Sequence, residues 1–160
     1  SPLGSIGLAC SEDALVSLRL PGQKPFGKDA QVLSSSECHP ILAQAAHWLD
    51  RCFAGEGPSA EELPLAPEGT AFRKLIWELL LEIPYGETST YGALAKAAAE
   101  RLGKKKMSAQ AVGGSVGANP ISIIIPCHRC LGADGSLTGY AGGLHLKRFL
   151  LDLEKIPYHD

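Results

Sequence analysis

Hydrophobic and polar positions first alternate along this chain and then shift to a helical period. Val16, Leu18 and Leu20 alternate with Ser17 and Arg19, the period-two pattern of a half-buried strand. Ser11-Glu12-Asp13 supplies turn chemistry just before them, so residues 5–20 read as a hairpin. Ile41, Leu42, Ala45, Trp48, Leu49, Cys52 and Phe53 then recur at three- and four-residue spacing, with Pro40 suited to a first turn and Gly55 to a stop. That helix is expected to cover the small sheet. From Glu56 to Gly69 the periodicity gives way to Gly57, Pro58, Pro64 and Pro67, a linker signature that divides the chain into residues 1–69 and 70–160.

Beyond the linker the pattern is mainly helical. Thr70 can cap a helix whose apolar face is Phe72, Leu75, Ile76, Leu79 and Leu80, with Pro84-Tyr85-Gly86 ending it. Thr90 can cap an Ala-rich helix running to about Leu102, where Gly103 stops it. Ser108 can cap a third, short helix of small residues, Ala109 to about Val116. Two short helices across a tight connection make a helix-turn-helix pattern. The β-branched run Ile121–Ile125 reads as a strand and Ala133-Asp134-Gly135-Ser136 as a hairpin turn, which would add a wing. The last helix, beyond Gly143, is expected to bury Leu146, Phe149, Leu150 and Leu153. The fold class is therefore α+β: a small N-terminal antiparallel sheet with its helix, then a mainly helical, winged helix-turn-helix part.

Composition narrows the class. A chain of 160 residues suffices for one ordinary domain or two small ones sharing an interface. With 45% hydrophobic and 20% charged residues it can build a core and keep a wet surface, which excludes a disordered or fibrous protein. No apolar run approaches the roughly 20 residues that span a bilayer, and Ser1–Gly7 lacks a basic segment followed by an apolar one. Neither a membrane anchor nor export is expected, which fits a soluble protein of the bacterial cytoplasm, or of the nucleus in a eukaryote.

The net charge of −2 hides an asymmetry, because residues 1–69 hold 4 basic and 9 acidic side chains and residues 70–160 hold 11 and 8. Lys104-Lys105-Lys106 lies in the positive half, either as a solvated loop or as a phosphate contact. Five irregularly spaced cysteines argue against a disulfide framework and for free thiols in a reducing compartment. Cys10, Cys38, His39 and Cys52 lack paired zinc-ligand spacing, so no metal is assigned, and His47 reads as structural.

The densest chemical signal is Asn119-Pro120, the apolar run to Ile125, then Pro126-Cys127-His128-Arg129. A thiol that attacks carbon must first become a thiolate, and its ordinary pKa near 8.5 leaves little of it ionised at neutral pH. His128 is the natural proton acceptor, directly or through one water, and a carboxylate behind it would fix its tautomer and stabilise the imidazolium. Glu154 is the candidate for that carboxylate.

These residues resemble the O6-alkylguanine-DNA alkyltransferases, also called methylated-DNA–protein-cysteine methyltransferases. The likeness covers residues 70–160: Ile83-Pro84-Tyr85-Gly86-Glu87-Thr88, Thr90-Tyr91-Gly92, Ala111-Val112-Gly113-Gly114, Asn119-Pro120, Pro126-Cys127-His128-Arg129 and Gly139-Tyr140-Ala141-Gly142-Gly143. Residues 1–69 match loosely, through Ser1-Pro2-Leu3-Gly4 and the hairpin-then-helix order.

The resemblance implies a ribonuclease H-like N-terminal part and a monomer that repairs double-stranded DNA. It would move the alkyl group of O6-alkylguanine, and possibly of O4-alkylthymine, irreversibly onto Cys127, with no cofactor and no metal. It implies that His128 deprotonates Cys127 through a water, that Glu154 orients His128, and that Asn119 braces the turn beside the thiol. Tyr91 would turn the 3′ phosphate and donate a hydrogen bond to the base. Tyr140 and the backbone of Ala141, with carbonyls near Cys127 and Cys130, would form the guanine pocket, and Arg129 is grouped with these substrate contacts. The target carbon is buried in stacked DNA, so the nucleotide must be extruded. Ser108, Ala111, Gly113 and Gly114 would let the small-residue helix approach the minor groove, with Gln110 filling the gap in the stack.

Two positions depart from the family pattern. Gln110 stands where an arginine is usual, which predicts weaker salt dependence and altered extrusion. Cys130 stands where a β-branched apolar residue is usual, which sets a second thiol near the first. Two rival readings follow from the residues. Cys127-His128-Arg129-Cys130 is formally a C-x-x-C, but it does not open a helix after a thioredoxin-like strand. A lesion-recognising module that transfers slowly or not at all is the other, and the presence of Cys127 speaks against it.

Overall fold

Ser11 turns the chain back on itself. Its Oγ accepts the Ala14 N–H at 3.1 Å and its own N–H donates to Ala14 O at 2.8 Å, closing the antiparallel pair β1 (Gly7–Cys10) and β2 (Leu15–Arg19). The computed structural model describes residues 1–23 and 39–160. Helix α1 (Pro40–Phe53) packs on this sheet and buries Ala45, Trp48, Leu49 and Cys52, with Pro40 in the first turn as expected. His39 is its N-cap, accepting the Ile41 N–H on Nδ1 at 3.1 Å. Of the four residues weighed as zinc ligands, Cys38 lies outside the described residues. His47 sits on the exposed side of α1.

The Gly- and Pro-rich stretch after α1 is pinned rather than loose. A capping box at Ser59 and Glu62 fixes a 3-10 turn over Ala60–Glu62, and Trp48 Nε1 donates to Ser59 O at 2.8 Å. Leu15 N donates to Pro64 O at 2.8 Å and Ala66 N to Leu15 O at 2.9 Å, so the segment pairs with the second edge of β2. Three residues on, Leu18 N donates to Pro120 O at 2.8 Å and bridges Ile121. The N-terminal sheet is thereby bonded to the turn that leads to Cys127.

The helical part follows its caps. Thr70 accepts the Arg73 N–H and opens α2 (Ala71–Leu81). The short strand β3 (Ser89–Thr90) leads into α3 (Tyr91–Leu102), capped by Thr90 and ended by Gly103 in the left-handed region at φ +66°, a conformation that costs glycine nothing. Ser108 caps α4 (Ala109–Gly117), which packs on α2 and α3. Trp77, absent from the expected apolar face of α2, is buried and its Nε1 donates to Ser115 O at 2.8 Å, tying α2 to α4. The main apolar core runs from Leu15 and Leu18 through Trp48, Ile76, Ala98 and Val112 to Ile121 and Leu150, so both halves of the chain share it, and Leu131, Leu151 and Ile156 form a smaller second cluster. Each buried leucine, isoleucine or valine in the main core contributes about 1.5–3 kcal/mol through loss of apolar surface to water.

Two expectations are corrected. Ile121–Ile125 is not a strand despite its β-branching: Asn119 captures both ends of the run, its Oδ1 accepting Ile121 N–H at 2.9 Å and its Nδ2 donating to Ile125 O at 2.8 Å. Ile124 N donates two residues back to Ser122 O around Ile123, whose φ is +73°. Such a conformation costs a β-branched residue on the order of 1–3 kcal/mol and persists where the surroundings over-determine it. The tight turn at Ala133–Ser136 forms, with Gly132 N donating to Ser136 O at 2.9 Å, but no antiparallel hairpin ladder grows from it. Strand β4 (Cys130–Leu131) pairs in parallel with β3 instead, and Ser136–Leu137 is bonded to His159 near the C-terminus. Helix α5 (Leu144–Leu153) buries Leu146, Lys147, Leu150 and Leu151, while Phe149 and Leu153 are half-buried. Among the described residues no helix is long and apolar enough to cross a membrane.

Candidate active site

Pro126 delivers Cys127 to the floor of a cleft. With φ −81° and ψ 64°, Pro126 occupies the centre of an inverse γ-turn, closed by Cys127 N donating to Ile125 O at 2.8 Å. A 3-10 turn over Cys127–Arg129 follows. The cleft has a volume of about 230 Å³ and is lined by Tyr91, Gly113, Val116, Gly117, Asn119, Ser122, Cys127, Gly139, Tyr140 and Ala141. That is smaller than the ~300–1,000 Å³ of pockets for drug-sized ligands, and suits a single small ring system. Gly142 holds the cleft's outer loop close to the core: a Cβ there would meet Leu146 Cδ1 at 2.6 Å and Leu20 Cδ1 at 2.9 Å.

The residue after Cys127 belongs to a buried acid–base pair. His128 is 1% exposed and Glu154 8%, and His128 Nε2 is hydrogen-bonded to Glu154 Oε2. Glu154 Oε1 accepts the Gly86 N–H at 3.0 Å and Arg129 Nε at 2.8 Å. Burial alone would raise the Glu154 carboxyl, but the hydrogen bond and charge of His128, the Gly86 N–H and Arg129 hold it below its usual value. Burial pushes His128 down, against Glu154, which pulls it up, and with Arg129 and Lys147, which repel the imidazolium. The resting pair is thus a neutral imidazole beside a carboxylate. A carboxylate only accepts, so Nε2 carries the ring proton and Nδ1 keeps its lone pair. Nδ1 is buried with no hydrogen-bond partner among the described residues.

Cys127 is 4% exposed. Burial pushes its thiol above the usual value, while Asn119, the Lys147 ammonium and Ser122 act in the opposite direction by favouring the thiolate. Lys147 is fully buried, with Nζ donating to Cys130 O at 2.7 Å. Cys130 and Cys52 are held protonated by burial, pushed up to about 12 and about 11. Asn119 and Ser122 thus favour ionisation at Cys127 against its burial, and the Lys147 ammonium does so at both Cys127 and Cys130.

The expected residues do not all meet in one place, and Cys130, expected at the guanine pocket, is fully buried outside the cleft lining with its carbonyl on Lys147. Cys127, Asn119, Tyr91, Tyr140, Ala141 and Gly113 line the cleft, and His128 and Glu154 are buried and paired outside its lining. Ser108, Gln110, Ala111 and Gly114 lie on the exposed outer side of α4, where Ser108 Oγ is engaged as the helix cap. Arg129, grouped with the substrate contacts, faces away from the cleft: Nη1 donates to Ile83 O at 2.8 Å and its guanidinium lies 5.6 Å from the Tyr85 ring centroid. Its physical role is to clamp Glu154. Lys147, Ser122, Thr138 and Gly86 were not singled out from the sequence. Lys147 was nonetheless readable, since it shares the apolar stripe of α5 with Leu150 and Leu151 at three- and four-residue spacing.

The acid–base pair sets a pH dependence. Both groups have folded pKa values below their ordinary 6.5 and 4.5, so the unfolded chain binds protons the folded chain refuses. Stability is full above the imidazole range and falls as pH drops, first through His128 and then through Glu154. Urea melts taken from neutral to acid pH should lose midpoint across both ranges; a level midpoint through the imidazole range would contradict a buried neutral His128.

Similarity to known proteins follows the same outline. The family model described as 6-O-methylguanine DNA methyltransferase, DNA binding domain, matches residues 71–156. The model for the ribonuclease-like domain of the same family matches residues 1–67. A methylated-DNA–protein-cysteine methyltransferase of Methanosarcina acetivorans is 46% identical over 96% of this chain and 94% of its own. One of Haemophilus influenzae is 55% identical over 76% of this chain and 65% of its own. The crystal structure of Mycobacterium tuberculosis OGT in complex with DNA superposes with a TM-score of 0.80 at 40% identity, covering 97% of this chain and 89% of that one.

Proposed function

The chain belongs to the 6-O-methylguanine DNA methyltransferase family, and from that premise we propose that it repairs double-stranded DNA by taking the alkyl group of an O6-alkylated guanine onto Cys127. The observation that carries this reading is the free Nδ1 of His128, the residue after a thiol at the floor of a base-sized cleft, with Glu154 holding the other ring nitrogen.

His128 Nδ1 takes the thiol proton, directly or through one solvent molecule, and the resulting imidazolium is stabilised by Glu154. The thiolate attacks the alkyl carbon. A carbon–sulfur bond forms as the carbon–oxygen bond breaks, and the electron pair leaves on guanine O6, delocalised into the ring. Tyr91, on the cleft wall, donates to the departing base, and Tyr140 and Ala141 bracket it. The product is a thioether, which neither imidazole nor carboxylate can hydrolyse, so each chain acts once. No cofactor or metal is required for this step.

A base reaches the sulfur only by leaving the duplex. We assign the exposed small-residue side of α4 to the minor groove, with Gln110 replacing the extruded base in the stack. The neutral amide can hydrogen-bond the orphaned partner but releases no counterion. Bonded to Pro120 through Leu18, the N-terminal sheet holds the thiol turn at a fixed depth. We further infer that the chain acts as a monomer where genomic DNA is found.

Mass spectrometry after incubation with a duplex containing O6-methylguanine tests the reading. One methyl group should appear on Cys127, reaching a plateau at one equivalent of DNA. Repaired DNA in excess of protein, or a chain without adduct, would sink it.

A further inference from the structure

Lys147 is a fully buried cation that forms no ion pair with a carboxylate among the described residues. An ammonium only donates, and its recorded acceptors are both neutral: Cys130 O at 2.7 Å and Thr138 Oγ1 at 3.4 Å. The Thr138 hydroxyl also lies 2.6 Å from the Tyr91 phenol, where geometry alone allows either oxygen to donate. The cation breaks that symmetry. A hydroxyl that accepts from an ammonium becomes the stronger donor and the weaker acceptor, so Thr138 Oγ1 is better suited to give its proton to the phenol than to accept a second one. With Thr138 donating, the phenol oxygen accepts, and the phenol's own O–H is left for the cleft that Tyr91 lines, with the Cys130 thiol as its other neighbour.

We propose that Thr138 is a positioning residue for the transfer reaction, relaying donor character from Lys147 to Tyr91 so that the Tyr91 phenol presents its proton, and not its lone pairs, to the base in the cleft. Thr138 does not line the cleft and acts only through Tyr91. Successive hydrogen bonds pointing the same way polarise one another, which makes the phenol a stronger donor to a guanine that leaves with negative charge. No bond breaks within the relay. The inference deepens the reading of Cys127 as the alkyl acceptor and rests on it.

Single-turnover methyl transfer from an O6-methylguanine duplex tests it with Thr138→Val, which keeps the shape and removes the hydroxyl. This variant should transfer about tenfold more slowly, and Thr138→Ser, which restores the hydroxyl, should come within about twofold of the parent. Tyr91→Phe should be slow, and adding Thr138→Val to it should slow it no further. Thermal melts run alongside; if Thr138→Val unfolds early, the Thr138→Ser and Thr138→Ala pair carries the same comparison. Thr138→Val transferring at the parental rate, Thr138→Ser as slow as Thr138→Val, or losses that multiply in the double variant would each overturn the relay. A parent chain that takes up no methyl would instead overturn transfer to Cys127 itself, and the relay with it.

Discussion

Replacing Cys127 by alanine should abolish methyl uptake while leaving affinity for duplex DNA within about twofold of the parent. The sulfur is 4% exposed at the cleft floor, and the proposed DNA-facing side chains lie elsewhere, on α4. Losing one buried sulfur costs fold stability about 1 kcal/mol, because the turn around it is held by Asn119 and not by the thiol. Cys130 is the informative neighbour. It is fully buried and held protonated by that burial, and His128 is the residue next to Cys127, so Cys130 should not substitute. Label transfer from methylated DNA and a binding titration on the same preparation give the two readouts. Methyl appearing on Cys130 would contradict Cys127 as the sole acceptor, and loss of DNA binding would make the thiol structural.

Glu154→Gln should slow transfer by about a hundredfold or more, and the reason is a tautomer as much as a charge. Glu154 presents to His128 Nε2 an atom that only accepts. An amide placed there can turn its NH2 towards the ring and accept the Gly86 and Arg129 N–H groups on its oxygen. The imidazole would then carry its proton on Nδ1, the atom that has to receive one. The variant should lose about 1–3 kcal/mol of stability because Arg129 and Gly86 exchange a charged acceptor for a neutral one. Stopped-flow or quenched single-turnover rates, with a thermal melt to confirm folding, separate the effects. A folded Glu154→Gln chain transferring at the parental rate would remove Glu154 from the mechanism.

Much of this site is legible residue by residue. Thr70, Thr90 and Ser108 each cap the helix that their place in the sequence predicts, because a cap depends on neighbours within four positions. The Pro126-Cys127-His128 run points to thiol chemistry for a similar reason: the nucleophile and its base are adjacent in the chain. Arg129 misleads because sequence adjacency to Cys127 suggests a shared cleft, whereas the 3-10 turn sends its side chain to Glu154 and Ile83. Ile121–Ile125 misleads because β-branching describes a preference for pleated surfaces, which the buried Asn119 side chain overrides by capturing both ends of the run.

What the chain's own order of residues determined is therefore local: which segments become helices, where each begins, and that a thiol, an imidazole and a stiff proline turn arrive together. What only the folded molecule decided is long-range. Gly86 reaches a carboxylate 68 positions away, Leu18 bonds the turn at Pro120, and Lys147 is drawn between the Cys130 carbonyl and Thr138. The difference is physical. Capping and periodicity are settled by hydrogen bonds and side-chain directions within one or two turns of chain, whereas the ionisation of a buried group depends on every dipole and charge packed around it, whichever part of the sequence supplied them.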